Sequence, residues 1–309
     1  VRAALPGVPH VACFDTAFHA GIPPAAHTYA LPAGWRERHP LRRFGFHGLS
    51  HSWVAARVPE LLGAGQGGAD AAGAGRGAGG PGEGSGRDAK IVSCHLGAGA
   101  SACAIEGGRS RDTTMGFTPL EGLVMATRSG TVDPGMLPWL MEHEHLSPAQ
   151  LTDALEHRSG LLGLAGSGDM REVLAAADTG DERARLALAV YVHRLRAAIA
   201  AMAAAIGGVH ALVFTGGVGE GSPRVRADAA SGLAFLGVAV AGQRNAAVHG
   251  EPNATGDGEP DAAARADCEI GAPGAAVRTL VVHAREDIQL ARGARAVLGA
   301  ADGALRVDA

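Results

Sequence analysis

Asp15 ends the apolar run His10 to Asp15 (HVACFD), where an open α/β sheet places catalytic and metal-coordinating carboxylates. An Asp-Thr pair also caps helices, so capping and catalysis are both open for it. His47 lies between Gly45 and Gly48, flanked by Phe44 and Phe46, so a tight turn presents its imidazole against an apolar wall. His51 follows four residues later, a spacing that puts two imidazoles on one helix face, but a HExxH glutamate and a third ligand are missing and zinc is disfavoured. His95 closes another β-rich run and leads into LGAGAS, with Gly97 and Gly99 in the turn. A lone strand-end histidine is more often structural, but three such features in one chain point to a site. Arg128, in MATRSGTVDP, carries the planar, permanently charged fork that suits phosphoryl oxygens, with an ion pair to Asp133 as the plain alternative. The segment TGGVGEGSPRVR (215–226) follows the β-rich ALVF and precedes a helix starting near Ser222 and Pro223. Amides at such a turn receive a nucleotide phosphate or let a base pack closely, although its spacing matches neither the Rossmann nor the P-loop pattern.

These residues need a frame. Besides His10 to Asp15, the runs KIVSCHL (90–96), SACAIE (101–106), ALVFTGG (211–217) and VRTLVVH (277–283) read as strands. The Gly- and Pro-free stretch 182–206 predicts one long helix, SPAQLTDALEH (147–157) a serine-capped helix with proline at its first position, and EDIQLARGARAVL (286–298) a last helix. Strands alternating with helices imply an α/β architecture with ligands at the carboxyl ends of strands. Residues 63–89 are rich in glycine and almost without large apolar side chains, and 245–269 are similarly polar. Both predict flexible inserts, since neither buries enough surface to offset ordering entropy.

With 309 residues, 47% of them hydrophobic, the chain can build a sizeable core, and a net charge of -4 argues against nucleic acid as a partner. The basic run Arg36 to Phe44 reads as a solvated surface turn. Cys13, Cys94, Cys103 and Cys268 show no metal-type or disulfide spacing, which suits a reducing cytoplasm. No signal peptide is evident and no window reaches the apolar length of a membrane span, so neither export nor a membrane partner is expected.

Taken in order, FDTAFH, FGFHGLSH, CHLGAGAS, GFTPLEG, TRSGTVDP, SGDMR, FTGGVGEGSPRVR and VVHAREDIQLA resemble the acetate kinase family over almost the whole chain apart from the two inserts. The resemblance implies a ribonuclease H-like α/β fold of the superfamily that includes sugar kinases, heat-shock chaperones and actin. The family's amino-terminal domain, with a phosphate-contacting hairpin, a substrate-binding arginine and another histidine, has no matching segment. The expectation is therefore residues 1–14 as the end of a first domain, 15–285 as a largely complete second domain, and 286–309 as the carboxyl-terminal helix of the first. A truncated gene, a fragment or a misplaced start would each produce this, and Val1 fits a GTG start read literally.

The resemblance also implies a reversible, direct in-line transfer from ATP to acetate, giving acetyl phosphate and ADP. Asp15, Arg128, His47 and His95 fall on catalytic positions, and Phe46 and Pro119 on the pocket for the acyl methyl group. His95, Gly97, Gly99, Asp169, Met170, Arg171, Gly217, Val218, Gly219 and Glu220 fall at the nucleotide. Glu286 and Asp15 fall at Mg²⁺ or Mn²⁺. A homodimer is implied, and PGMLPWLMEHEH (134–145) is a candidate contact or equally a core segment. The alternatives are a propionate or butyrate kinase, or a noncatalytic nucleotide-binding or dimerising remnant. Ala98 and Gly221 stand where the family usually has asparagine, and HARED replaces the usual run around Glu286.

Overall fold

The fold was analysed in a computed structural model describing residues 7–64, 88–248 and 266–305. The β-rich runs form strands where a neighbouring edge exists. β1 (Lys90–Leu96), β2 (Ala100–Glu106) and β3 (Arg109–Thr113) make an antiparallel meander; β4 (Ala211–Thr215), β5 (Cys268–Glu269) and β6 (Arg278–Val281) complete one sheet in the order β3-β2-β1-β4-β6-β5. β1, β4 and β6 run parallel, so the residues that follow them emerge at one end of the sheet. His10 to Asp15 is not a strand: it pairs with no strand among the described residues, and an extended segment without a partner has no ladder to join.

The helices are α1 (Pro24–His27), α2 (Ala33–Arg38), α3 (Gly48–Ala64), α4 (Met136–His143), α5 (Pro148–His157), α6 (Gly160–Ala165), α7 (Met170–Asp178), α8 (Glu182–Ala205), α9 (Gly216–Gly221), α10 (Pro223–Ser231), α11 (Gly242–Ala246) and α12 (Glu286–Leu305). α5 starts as its sequence predicts, with Ser147 and Gln150 closing a capping box and Pro148 at the first turn.

Strand alternation divides the sheet into two faces. Val92, Cys94, Leu96, Ala102 and Ala104 join the larger core with α8, which contributes Leu188, Tyr191, Leu195, Ile199 and Met202. Each such side chain adds roughly 1.5–3 kcal/mol on burial. The opposite face carries Ile91, Cys103 and Ile105 against Val54, Ala55 and Val58 of α3. Ser93, His95 and Ser101 share that second face by the period of two, which brings polar groups under α3.

Three sequence expectations change. α8 is long and apolar enough to cross a membrane by length and composition, contrary to the sequence reading; its apolar stripe is the one buried against β1 and β2. The polar 245–269 stretch is structured at both ends: Asn245 is buried in α11, and Cys268–Glu269 form an edge strand. Its middle, and most of 63–89, lie outside the described residues. Within the basic run, residues 36–40 are exposed, but Arg43 is largely covered. Its guanidinium pairs with Glu121 at 2.8 Å and donates to the Thr114 and Met115 carbonyls, tying down the loop that carries Pro119.

Candidate active site

At the start of α3 the chain turns through Gly45 at φ +73 and His47 at φ +57. The left-handed conformation is uncommon for a residue with a side chain and persists where its surroundings hold it. Asp15 does the holding. Its Oδ2 accepts from the His47 amide at 2.6 Å, its Oδ1 from the Leu49 amide at 3.2 Å, and its carbonyl from the Gly48 amide at 2.8 Å. Gly48 is required because a Cβ there would run into the Asp15 carbonyl. Of the two readings open for Asp15, the capping one is therefore visible directly, and it also sets the position of His47.

The imidazoles of His47 and His95 stack with centroids 4.3 Å apart. Each is tied at Nδ1, His47 to Ser101 Oγ at 2.9 Å and His95 to Ser50 Oγ at 2.8 Å. A Cβ built on Gly99 would lie 3.1 Å from His47 Nε2 and 3.4 Å from Arg128 Nη1, so the two side chains converge on bare backbone. Gly97 similarly lies under His95, 3.9 Å from Nε2 on the same test. Arg128 Nη1 donates to the Pro119 carbonyl at 3.3 Å, and among the described residues no carboxylate lies within ion-pair distance of it. The alternative pairing with Asp133 does not form, because Asp133 Oδ1 caps the turn through the Gly135 amide at 2.9 Å.

Burial holds the histidines neutral near pH 7. His47 is pushed down to about 4 by desolvation, then by the Arg128 and His19 charges. His95 is pushed down to about 3, again first by desolvation and then by His47. The zinc arrangement of His47 with His51 is not available, since both His51 nitrogens are engaged, by Ser93 at 2.9 Å and Ser101 at 2.8 Å.

Glu286, at the first turn of α12, is pushed above the ordinary carboxylate value by burial and by the charge of Asp15. Two mutually repelling oxygen donors are a set that a hard divalent cation such as Mg²⁺ fits.

After β4 the glycine segment forms the short helix α9 rather than an open turn. Gly216 sits at φ +78; Gly217 is exposed with open space around it. Gly219 is buried, and Val218 packs on the core. Glu220, placed by sequence at the nucleotide, instead turns its side chain inward. It accepts from His283 Nδ1 at 2.6 Å, from the Ala284 amide at 2.9 Å and from the Gly216 amide at 2.8 Å. Burial pushes its carboxyl up, but His283 and these amides together hold it below its ordinary value. Arg226, which sequence reasoning overlooked inside PRVR, is fully buried and donates to the Gly219 and Glu220 carbonyls. An arginine three residues into a capped helix was the available signal.

Asp169 caps α7 and pairs with Arg171, whose side chain is exposed. Met170, between them, is a core residue at 4% exposure, so its side chain faces away from any surface ligand. Phe46 packs against the larger core and its carbonyl receives His19 Nε2 at 3.0 Å. Pro119 is half-buried in the loop beside Arg128. His95 is the penultimate residue of β1, Gly217 follows β4 and Glu286 follows β6, so the groups gather at the carboxyl ends of three parallel strands.

This is a ribonuclease H-like α/β kinase fold: an antiparallel three-strand meander continued by parallel strands, with candidate phosphoryl-binding groups at their carboxyl ends. The chain belongs to the acetokinase family, whose pattern matches residues 1–80 and 83–292. It is 46% identical over 293 residues to the acetate kinase of Leifsonia xyli, covering 95% of this chain and 65% of that one. The crystal structure of Porphyromonas gingivalis acetate kinase superposes with a TM-score of 0.81 at 36% identity, covering 96% of this chain and 66% of that one. A propionate kinase from Francisella tularensis follows at 0.79 and 32%, covering 94% and 65%. The chain thus spans just under two thirds of the length of these relatives.

Proposed function

We propose that the protein transfers a phosphoryl group between ATP and acetate, giving acetyl phosphate and ADP. The observation that carries this reading is the convergence of Arg128, free of any carboxylate partner among the described residues, and the stacked, neutral His47 and His95 over Gly97 and Gly99. Acetate is already ionised at neutral pH, so the nucleophile needs no general base; the obstacle is bringing one anion against a polyanion. Arg128 supplies fixed positive charge, and the two imidazoles supply neutral hydrogen bonds to phosphoryl oxygens. Phe46 and Pro119 form the wall against the acyl methyl group. Gly217 and Val218 meet the adenine, and Asp169 with Arg171 lies at the adenosine; Met170, Gly219 and Glu220 shape these nucleotide segments from within. Asp15 and Glu286 would hold Mg²⁺, which supplies charge neutralisation to the nucleotide phosphates.

In this reading residues 15–285 form one domain, and 1–14 with 286–309 belong to another. The test is acyl phosphate formation trapped as the hydroxamate, from the chain with ATP and Mg²⁺ and acetate, propionate or butyrate in parallel. Acetate turnover is expected to lead. The Francisella relative makes propionate the second reading, and a higher kcat/KM for propionate would establish it. Asp15→Asn keeps an acceptor for the His47 amide at the cost of the weaker one for the Leu49 amide at 3.2 Å, and should abolish most turnover if charge at Asp15 matters. Unchanged turnover would reduce Asp15 to its capping role.

A second copy of the chain is the proposed partner. α4 has no buried residue, and Met136 and Trp139 are 38% and 53% exposed, so core packing does not explain this apolar segment. The Trp139 ring stacks on that of His143, 4.0 Å away on the same helix. Trp139→Asp should convert a dimer to monomer in sedimentation velocity at micromolar concentration. A dimer that survives the substitution would place the contact elsewhere.

A further inference from the structure

Behind the stacked histidines lies a line of buried polar groups that phosphoryl contact does not use. His51 is fully buried and sits between Ser93 Oγ, at 2.9 Å from Nδ1, and Ser101 Oγ, at 2.8 Å from Nε2. Ser101 Oγ also meets His47 Nδ1 at 2.9 Å. A hydroxyl has one proton to give, so Ser101 donates to one histidine and accepts from the other, and the tautomers of His51 and His47 are coupled.

Two polarities satisfy that coupling. In the first, Ser93 donates to His51 Nδ1, His51 Nε2–H donates to Ser101, and Ser101 donates to His47 Nδ1, leaving the His47 proton on Nε2. In the second every bond reverses and His47 Nε2 is a bare lone pair. Ser93 decides between them. It is fully buried and, among the described residues, His51 is its hydroxyl's only side-chain or backbone partner. The second polarity would strand its proton without an acceptor, which disfavours that arrangement by about tenfold or more. The same argument applies to Ser50, fully buried and bonded through Oγ to His95 Nδ1, so it donates and leaves the His95 proton on Nε2. His51 stays neutral throughout, since burial pushes it well below its ordinary value. His19 shows the same pattern with no ambiguity, because its Nε2 must donate to the Phe46 carbonyl while Nδ1 meets Ser110 Oγ at 2.8 Å.

We propose that Ser93, His51, Ser101 and Ser50 are positioning residues that lock both stacked imidazoles as the Nε2–H tautomer, presenting two hydrogen-bond donors to an anionic oxygen. The assignment of that oxygen to a transferring phosphoryl group rests on the kinase reading; the tautomers do not. The order of bonds also explains serine at position 93 of β1 and position 101 of β2, where aliphatic residues would pack more simply.

The test is long-range ¹H–¹⁵N NMR of the histidine-labelled chain at neutral pH without ligand, with His47, His51 and His95 assigned by single substitution to glutamine. All three should show a protonated Nε2 and a bare Nδ1 at about ten to one or better. Ser93→Ala, a small change in a strand, should leave the His95 tautomer alone and bring His47 and His51 to a mixture. Ser50→Ala should do the reverse. Protons on Nδ1 of His47 or His51 in the unsubstituted chain would overturn the proposal, as would a His47 tautomer indifferent to Ser93→Ala. A general packing role would disturb all three histidines together, and none of these readings depends on turnover.

Discussion

If the chain carries the proposed transfer, Arg128→Ala should lower acetyl phosphate formation by at least about a hundredfold, mostly in kcat, with the fold unchanged. The magnitude follows from what else is at the site. His47 and His95 are neutral at pH 7 because burial pushes them to about 4 and about 3, so each contributes a neutral hydrogen bond. A neutral donor preorganised toward charge that develops in the transition state is worth roughly 3–4 kcal/mol, and Arg128 adds permanent charge to such preorganisation, so its loss should at least match that of either imidazole. Arg128 at the cluster over Gly99 combines permanent charge with donors in a fixed fork. Arg128→Lys should therefore recover only part of the rate. Steady-state kcat and KM for acetate and ATP, compared with His47→Gln, check the ranking. A His47→Gln loss larger than that of Arg128→Ala would move the catalytic weight from charge to the imidazoles.

How far the sequence carries depends on the range of the interaction that decides each feature. Local patterns were sufficient for β1, β4 and α8, where β-branched or helical periodicity runs unbroken, and for the α5 cap, where Ser147, Pro148 and Gln150 lie within one turn. The same patterns misled at His10 to Asp15, since a strand also needs a partner, and at α8, where no membrane-length apolar window was expected although the helix is long and apolar enough by length and composition. The site was legible as a set of motifs. His47, His95 and Arg128 were each recognisable by type and flanking glycine, and the structure brings all three to Gly97 and Gly99. The residues behind them were not legible. Ser93 and Ser101 are ordinary strand serines until the register of β1 on β2 places them on the α3 face, and pairing register is not written in either strand alone. Glu220 likewise looked like part of a nucleotide turn, and only the long-range contact with His283, 63 residues on, turns it into an internal latch.

Arg226→Ala destabilises the protein by on the order of 4 kcal/mol and lowers Tm by roughly 8 °C. Arg226 is among the largest fully buried side chains of the described residues, and its guanidinium spans two segments. Nη1 donates to the Gly219 and Glu220 carbonyls at 2.9 and 2.6 Å; Nε and Nη2 donate to Asn245 Oδ1 and its carbonyl at 2.7 and 2.9 Å. Asn245 in turn donates to the Pro223 carbonyl at 2.7 Å. Truncation leaves four buried acceptors without their donor, each costing about 1–3 kcal/mol before water enters the gap, so the net falls well below the sum. Burial lowers the guanidinium to about 10, mainly by desolvation, which still leaves it charged at neutral pH. If α9 meets the nucleotide as proposed, the loss should also weaken Mg-ATP binding in isothermal titration, even below the lowered Tm, because α9 ends on these carbonyls. Calorimetry of Arg226→Ala and Arg226→Lys separates two causes. An ammonium keeps the charge but cannot reach both α9 and Asn245, so similar losses in the two variants would assign the effect to the fork. A near-normal Tm for Arg226→Lys would assign it to charge alone, and a shift under about 2 °C for Arg226→Ala would remove Arg226 as the clamp on this turn.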